Sequence, residues 1–150
     1  MVFFVDVFPL KVMEVMGKEM HEKVAKALMS EQGVQIALLF GSQASGTALE
    51  HSDVDVAVAC NAEFSVDDKI KLAASLSSSL NREVDLIDLN STHGTLLCEV
   101  LTRGVLLVHR DPALYERLIK RMLAEQEDDT RIASKARLER VQRWSRQIRP

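Results

Sequence analysis

Two aspartates two residues apart, inside a run that otherwise alternates as a strand, restrict this chain more than any other feature. In Ser52-Asp53-Val54-Asp55-Val56, continued by Val58, the period of two puts both carboxylates on one face. An apolar strand is a costly place for two charges unless a cation or a solvated cleft compensates. Upstream, Val34 to Phe40 is almost continuously apolar and suits a strand buried on both faces. It delivers the chain to Gly41-Ser42-Gln43-Ala44-Ser45-Gly46, where small residues let backbone N–H groups approach an anion and Ser42 adds a hydroxyl. The first strand finishes where the second starts, so the two should run antiparallel. Mg²⁺ binds through one or two carboxylates plus substrate phosphates, and a small-residue turn beside an aspartate pair offers that combination.

Glu83-Val84-Asp85-Leu86-Ile87-Asp88-Leu89 supplies a third carboxylate. If a helix joins the segments near 53–60 and 83–89, a right-handed crossover makes them parallel neighbours that begin at the same edge. Asp85 then lies near the start of its strand, as Asp53 and Asp55 do, whereas Asp88 lies further along and on the opposite face. Three carboxylates clustered beside the glycine turn can hold two metal ions, a device that stabilises the attacking and leaving oxygens of an in-line displacement at phosphorus.

Gly41-Ser42, the Ser52-Asp53-x-Asp55 pair and Val84-Asp85-Leu86 together resemble the signature of the DNA polymerase beta-like nucleotidyltransferases, over residues 34–110. The short chain is similar to the minimal nucleotidyltransferases, many of which are antitoxins encoded with a HEPN-domain toxin. The resemblance implies transfer of AMP from ATP to a hydroxyl, expected to be a tyrosine of a cognate HEPN ribonuclease toxin, with release of pyrophosphate and silencing of the toxin. It implies that Asp53 and Asp55 hold Mg²⁺ ions bridging the triphosphate and that Asp85 binds the second metal and helps deprotonate the acceptor. Gly41 and Ser42 would seat the β- and γ-phosphates, with Ser52 counted among the nucleotide-binding residues. One departure stands out. Many of these antitoxins carry a basic residue where this chain has Ser45, so phosphate charge would be met by the metal ions, backbone N–H groups and a cation from elsewhere.

The chain has 150 residues, the size of one ordinary domain. We expect a single unit with a core over about 11–123 and a charged helical tail over about 124–150, an appendage suited to partner binding. A net charge of -3 argues against a surface that coats nucleic acid generally, while a local basic patch stays open. Cys60 and Cys98, without Cys-x-x-Cys spacing, read as buried reduced thiols. Met1 to Leu10 is apolar but lacks a basic leader and is too short to span a bilayer, so a cytoplasmic protein without membrane attachment is expected. None of His21, His51, His93 and His109 has zinc-ligand spacing, and the loop fingerprints of P-loop and dinucleotide-binding proteins are missing.

The remaining pattern predicts an α/β (α+β) fold, a mixed sheet of about four strands flanked by helices with a long C-terminal helical segment. Val12, Met16, Met20, Val24, Ala27 and Leu28 space an amphipathic helix over 11–31. Ser65 caps a second helix with Asp67 and Asp68 in its first turn, and Ser77-Ser78-Ser79 reads as a solvated last turn before Asn81. A third helix over Thr92 to Thr102 precedes a short strand, Val105 to His109. Asp111-Pro112 then opens a long helix with Leu114, Leu118 and Met122 on one face. Beyond an acidic stretch, Glu125-Gln126-Glu127-Asp128-Asp129, the run from Arg131 to Arg149 is strongly basic and carries Leu138, Val141, Trp144 and Ile148. A solvated face, an acidic protein partner and RNA are the readings of this tail. Two further functional readings remain beside the enzymatic antitoxin: steric toxin binding with little catalysis, motivated by Ser45 and the basic tail, and nucleotidyl transfer to a small molecule.

Overall fold

Unbroken apolar runs become the middle of the sheet. In the computed structural model, which describes residues 18–46, 48 and 52–147 and side chains as far as 143, the elements follow in order. They are α1 (Lys18–Met29), β1 (Val34–Phe40), α2 (Ser42–Ser45), β2 (Val54–Cys60), α3 (Val66–Leu80), β3 (Val84–Asp88), α4 (Gly94–Arg103), β4 (Val105–His109) and α5 (Pro112–Gln147). The strands form one four-stranded sheet in the order β3-β2-β1-β4. β1 pairs antiparallel with β2 and with β4, and β2 pairs parallel with β3 across the α3 crossover, the mixed sheet expected from the sequence.

Each face of the sheet has its own core. Val34, Leu39, Val54, Val56 and Val58 pack with Val24 and Leu28 of α1 and Leu72, Leu76 and Leu80 of α3. On the other face Ile36, Leu38, Ala57 and Ala59 meet Leu97 and Val100 of α4 and Leu114, Leu118 and Met122 of α5. In β2 even and odd residues thus serve different helices, the period-two consequence of a sheet covered on both sides, while in β1 a register shift between Val34 and Ile36 puts Val34 on the same face as Leu39.

Local signals set the ends. The Ser65 hydroxyl accepts from Asp68 N (3.1 Å) in a reciprocal cap, and the Asp68 carboxylate, accepting from the Ser65 hydroxyl (2.6 Å) and from Ser65 N (3.2 Å), is held below its ordinary pKa by those two bonds. Asn81, at φ 50°, ends α3 in the left-handed region. Asp111 caps α5 by accepting from Leu114 N (3.0 Å), ahead of Pro112.

Three details differ from the sequence reading. Ser78 and Ser79 are solvated, but Ser77 is half-buried and its hydroxyl accepts from Val84 N (3.2 Å), tying the end of α3 to the start of β3. α4 begins at Gly94, not Thr92, because the Thr92 hydroxyl is engaged by the Asp88 carbonyl (2.7 Å) in the turn after β3. Cys60 is buried as expected, with burial and the charges of Asp88 and Asp68 pushing its thiol up to about 11, whereas Cys98 is only half-buried. Cys98 faces α5, where Gln126 Nε2 approaches its sulfur at 2.7 Å. The apolar N-terminus, the first part of the 11–31 helix and His51 lie outside the described residues. Among the described residues no helix is long and apolar enough to cross a membrane.

Candidate active site

β1 ends at Phe40 and hands the chain to Gly41, whose backbone stands at φ 67°, ψ -147°, a conformation open in practice only to glycine. One helical turn follows. Ser45 N donates to the Gly41 carbonyl (3.1 Å), Ala48 N to the Ser42 carbonyl (3.1 Å), and Gly46 at φ 74° ends the turn. The Ser45 hydroxyl is spent locally, donating to the Ser42 carbonyl (3.3 Å). From α1, His21 Nε2 donates to the Gln43 carbonyl (3.1 Å) and holds the turn against the body of the fold.

Strand register then brings the acids together. Phe40 is the cross-strand partner of Asp55, and Asp55 is the partner of Asp85 in the parallel pair, so the two carboxylates share a face and a level of the sheet. Asp53, two residues ahead, enters on the same side just before β2 begins. Gly41 lies directly against this row: a Cβ built there would overlap Asp55 Oδ2. Gly41, Asp53, Asp55 and Asp85 therefore meet at one edge, on the sheet face that α4 and α5 cover further along. Ser42 opens the turn beside them, half-buried, and Ser52 leads into Asp53. Asp88 does not join them. Its carboxylate accepts from Asn90 N (2.9 Å) at the other end of β3 and serves that turn.

Asp55 is half-buried, while Asp53 and Asp85 are exposed. Burial pushes the Asp55 carboxyl above its ordinary pKa, and the charges of Asp85 and Asp53 add to the rise. Because the folded chain holds this proton more tightly than the unfolded chain does, the contribution to stability is present below the ordinary Asp pKa and is lost as pH rises through the raised one. Asp55→Asn should therefore unfold at a higher temperature than the unsubstituted protein at neutral pH in chelator. The gap should close on acidification. Thermal melts from about pH 3 to about pH 8 check this, and a gap that stays constant with pH would contradict it.

Among the described residues no three His, Cys, Asp or Glu side chains close on a single point by themselves. The donor chemistry nevertheless fits a hard cation whose shell a ligand completes. Oxygen donors of like charge share one edge of the sheet, and the most buried of them is raised in pKa by burial and, beyond that, by its two neighbours.

Arg82 carried no sequence signal and is part of this edge. Its NH1 donates to the Ser52 carbonyl (3.1 Å), and Val54 N donates to the Glu83 carbonyl (2.9 Å), so the two acid-bearing strands are fastened together immediately ahead of Asp53 and Asp85. A lone arginine after a helix cap predicts no such contact. Only the crossover creates it.

Residues 22–113 match the family model described as polymerase beta, nucleotidyltransferase. The chain belongs to that nucleotidyltransferase family. It is 38% identical over 71 residues to the protein adenylyltransferase MntA of Shewanella oneidensis, a match covering 47% of this chain and about half (51%) of that relative. A chain of a crystal structure of a toxin–antitoxin with AMP-PNP superposes with a TM-score of 0.64 at 28% identity, covering 81% of this chain and 98% of the other. The structure of a tri-AMPylated Shewanella oneidensis HEPN toxin in complex with its MNT antitoxin gives a TM-score of 0.58 at 25% identity, covering 85% and 99%. The resemblance drawn from Gly41-Ser42, Asp53-x-Asp55 and Asp85 thus holds at the level of family and fold.

Proposed function

We propose that this protein is an antitoxin that transfers AMP from ATP to a hydroxyl, that of a tyrosine, on a cognate HEPN ribonuclease toxin, releasing pyrophosphate and neutralising the toxin. The observation that carries this reading is the convergence of Asp53, Asp55 and Asp85 on one sheet edge against Gly41 in a nucleotidyltransferase fold. It is supported by the likeness to an adenylyltransferase and to chains of toxin–antitoxin complexes solved with AMP-PNP and with a tri-AMPylated HEPN toxin.

In this mechanism Gly41 and Ser42 seat the β- and γ-phosphates of ATP with backbone N–H groups and a hydroxyl. Asp53 and Asp55, with Asp85, would hold two Mg²⁺ ions, which when bound supply neutralisation of triphosphate charge. Asp85, exposed like Asp53, takes the proton of the acceptor hydroxyl. The hydroxyl oxygen forms a bond to the α-phosphorus as the bond from that phosphorus to the α,β-bridging oxygen breaks, and pyrophosphate leaves. Little covalent work falls to the protein, so orientation and charge carry the rate.

The test is transfer of label from α-³²P-ATP to the product of the neighbouring reading frame. Label on that partner, in step with loss of its ribonuclease activity, is the expected result. Chelation with EDTA should abolish labelling, and Mg²⁺ should restore it. A partner that is bound and inhibited without acquiring label would overturn the enzymatic reading in favour of steric inhibition.

A further inference from the structure

Past Gln126, whose amide still meets the Cys98 sulfur of α4 (2.7 Å), α5 leaves the body of the protein. Leu114, Leu118 and Met122 are buried, and Glu125 still grips α4 by accepting from Gly94 N (2.8 Å) and pairing with His93 Nδ1 (2.7 Å). From Gln126 to Arg143 every residue is exposed, although the helix continues unbroken for about 27 Å more. A helix of this length without packing is marginal in water, and this one keeps large apolar side chains in solvent: Leu123 (54% exposed), Ile132, Leu138 and Val141 (56%).

Leu123 and Val141 are eighteen residues apart, five full turns, and so lie on one line along the helix, half a turn away from Leu114. Between them, at alternating spacings of four and three, come Glu127, Thr130, Ser134 and Arg137. By kind the line reads apolar, acid, hydroxyl, hydroxyl, base, apolar. We infer that this line is a self-complementary seam through which a second copy of the chain docks antiparallel, with the two-fold axis passing between Thr130 and Ser134. Leu123 then meets Val141 of the second copy, Glu127 meets Arg137, Thr130 meets Ser134, and symmetry repeats each contact.

Charge favours this occupant over others. Glu127, Asp128 and Asp129 precede Arg131, Lys135, Arg137, Arg140 and Arg143, which are opposed by Glu139 alone. A parallel copy would set acid on acid and base on base. A uniformly acidic partner would leave the acid block facing like charge. Only the antiparallel copy lays each block on its opposite, and such complementarity fixes register. The internal pair of Glu127 with Arg131 (3.6 Å) is exposed on both sides and carries little weight against it.

Sedimentation of the full chain over about 5 to 500 µM should show a monomer–dimer equilibrium, since an interface of this size lies at the weak end of specific ones. Val141→Asp should leave only monomer. Glu127→Arg should weaken the dimer by roughly tenfold, because two pairs turn repulsive at once. Adding Arg137→Glu to it should restore association to within about threefold, with unchanged helicity in every variant. A chain that stays monomeric throughout, or a double exchange that fails to restore the dimer, would overturn the seam. So would a monomer whose Leu123 and Val141 are covered instead by the toxin, which would assign this line to that partner.

Discussion

The Asp53→Asn/Asp55→Asn protein should lose label transfer by roughly 10³-fold or more and unfold no earlier than the unsubstituted chain. Both halves follow from one geometry. Burial raises the Asp55 pKa and the charges of Asp85 and Asp53 raise it further, so the ionised carboxylate weakens the fold when no cation is bound. Asparagine keeps the shape and removes the repulsion. In the proposed mechanism it also removes the anionic oxygens that would hold the cation, and with them the neutralisation of the triphosphate. Phosphorimaging of the partner measures the first half and thermal melts in chelator measure the second. Transfer within about tenfold of the original rate would show that these acids are not the metal-holding pair. A variant that still inhibits the toxin without labelling it would assign neutralisation to binding alone.

The features legible in the sequence were those set by short-range rules. A continuous apolar run became β1, alternation became β2, and Ser65, Asn81 and the Asp111-Pro112 pair set helix ends through contacts within a few residues of themselves. The preference for Asp85 over Asp88 needed one long-range assumption, the parallel crossover, and the register Asp55 to Asp85 supplies it. What could not be read was contact between elements distant in sequence. Arg82 reaches Ser52 only because the crossover returns it there, and His21 reaches Gln43 only because α1 packs beneath the turn. Arg121 belongs to the same class. It reads as one more charge on an amphipathic helix, yet it donates to the carbonyls of Leu89, Asn90 and Thr92 and closes the β3–α4 turn from the far side. Cys98 is less buried than its apolar surroundings in sequence predict for a related reason: they place it on α4 but do not reveal that its neighbour on α5 is the amide of Gln126.

Gly41→Ala should cost both stability and transfer, and comparison with two other glycines separates the causes. Gly41 combines a φ of 67° with a position where a methyl group overlaps Asp55 Oδ2. Backbone strain alone costs about 1–3 kcal/mol, which for a chain of this size lowers the melting temperature by roughly 5 °C. The overlap adds a second effect, because the Asp55 carboxylate is the more mobile party and will swing aside. That movement costs little in stability and takes the acid out of line with Asp85, so transfer should fall by roughly 10²-fold. Gly94, at φ 61° with open space where its Cβ would stand, isolates strain. Its alanine variant should lose about 1 kcal/mol and transfer normally, since it lies at the opposite end of β3 from Asp85. Gly33, with open space and no positive φ, should tolerate alanine in both assays. Near-normal transfer by Gly41→Ala would mean that Asp55 functions from a position other than the one held against this turn, and the role assigned to the row of carboxylates would fail with it.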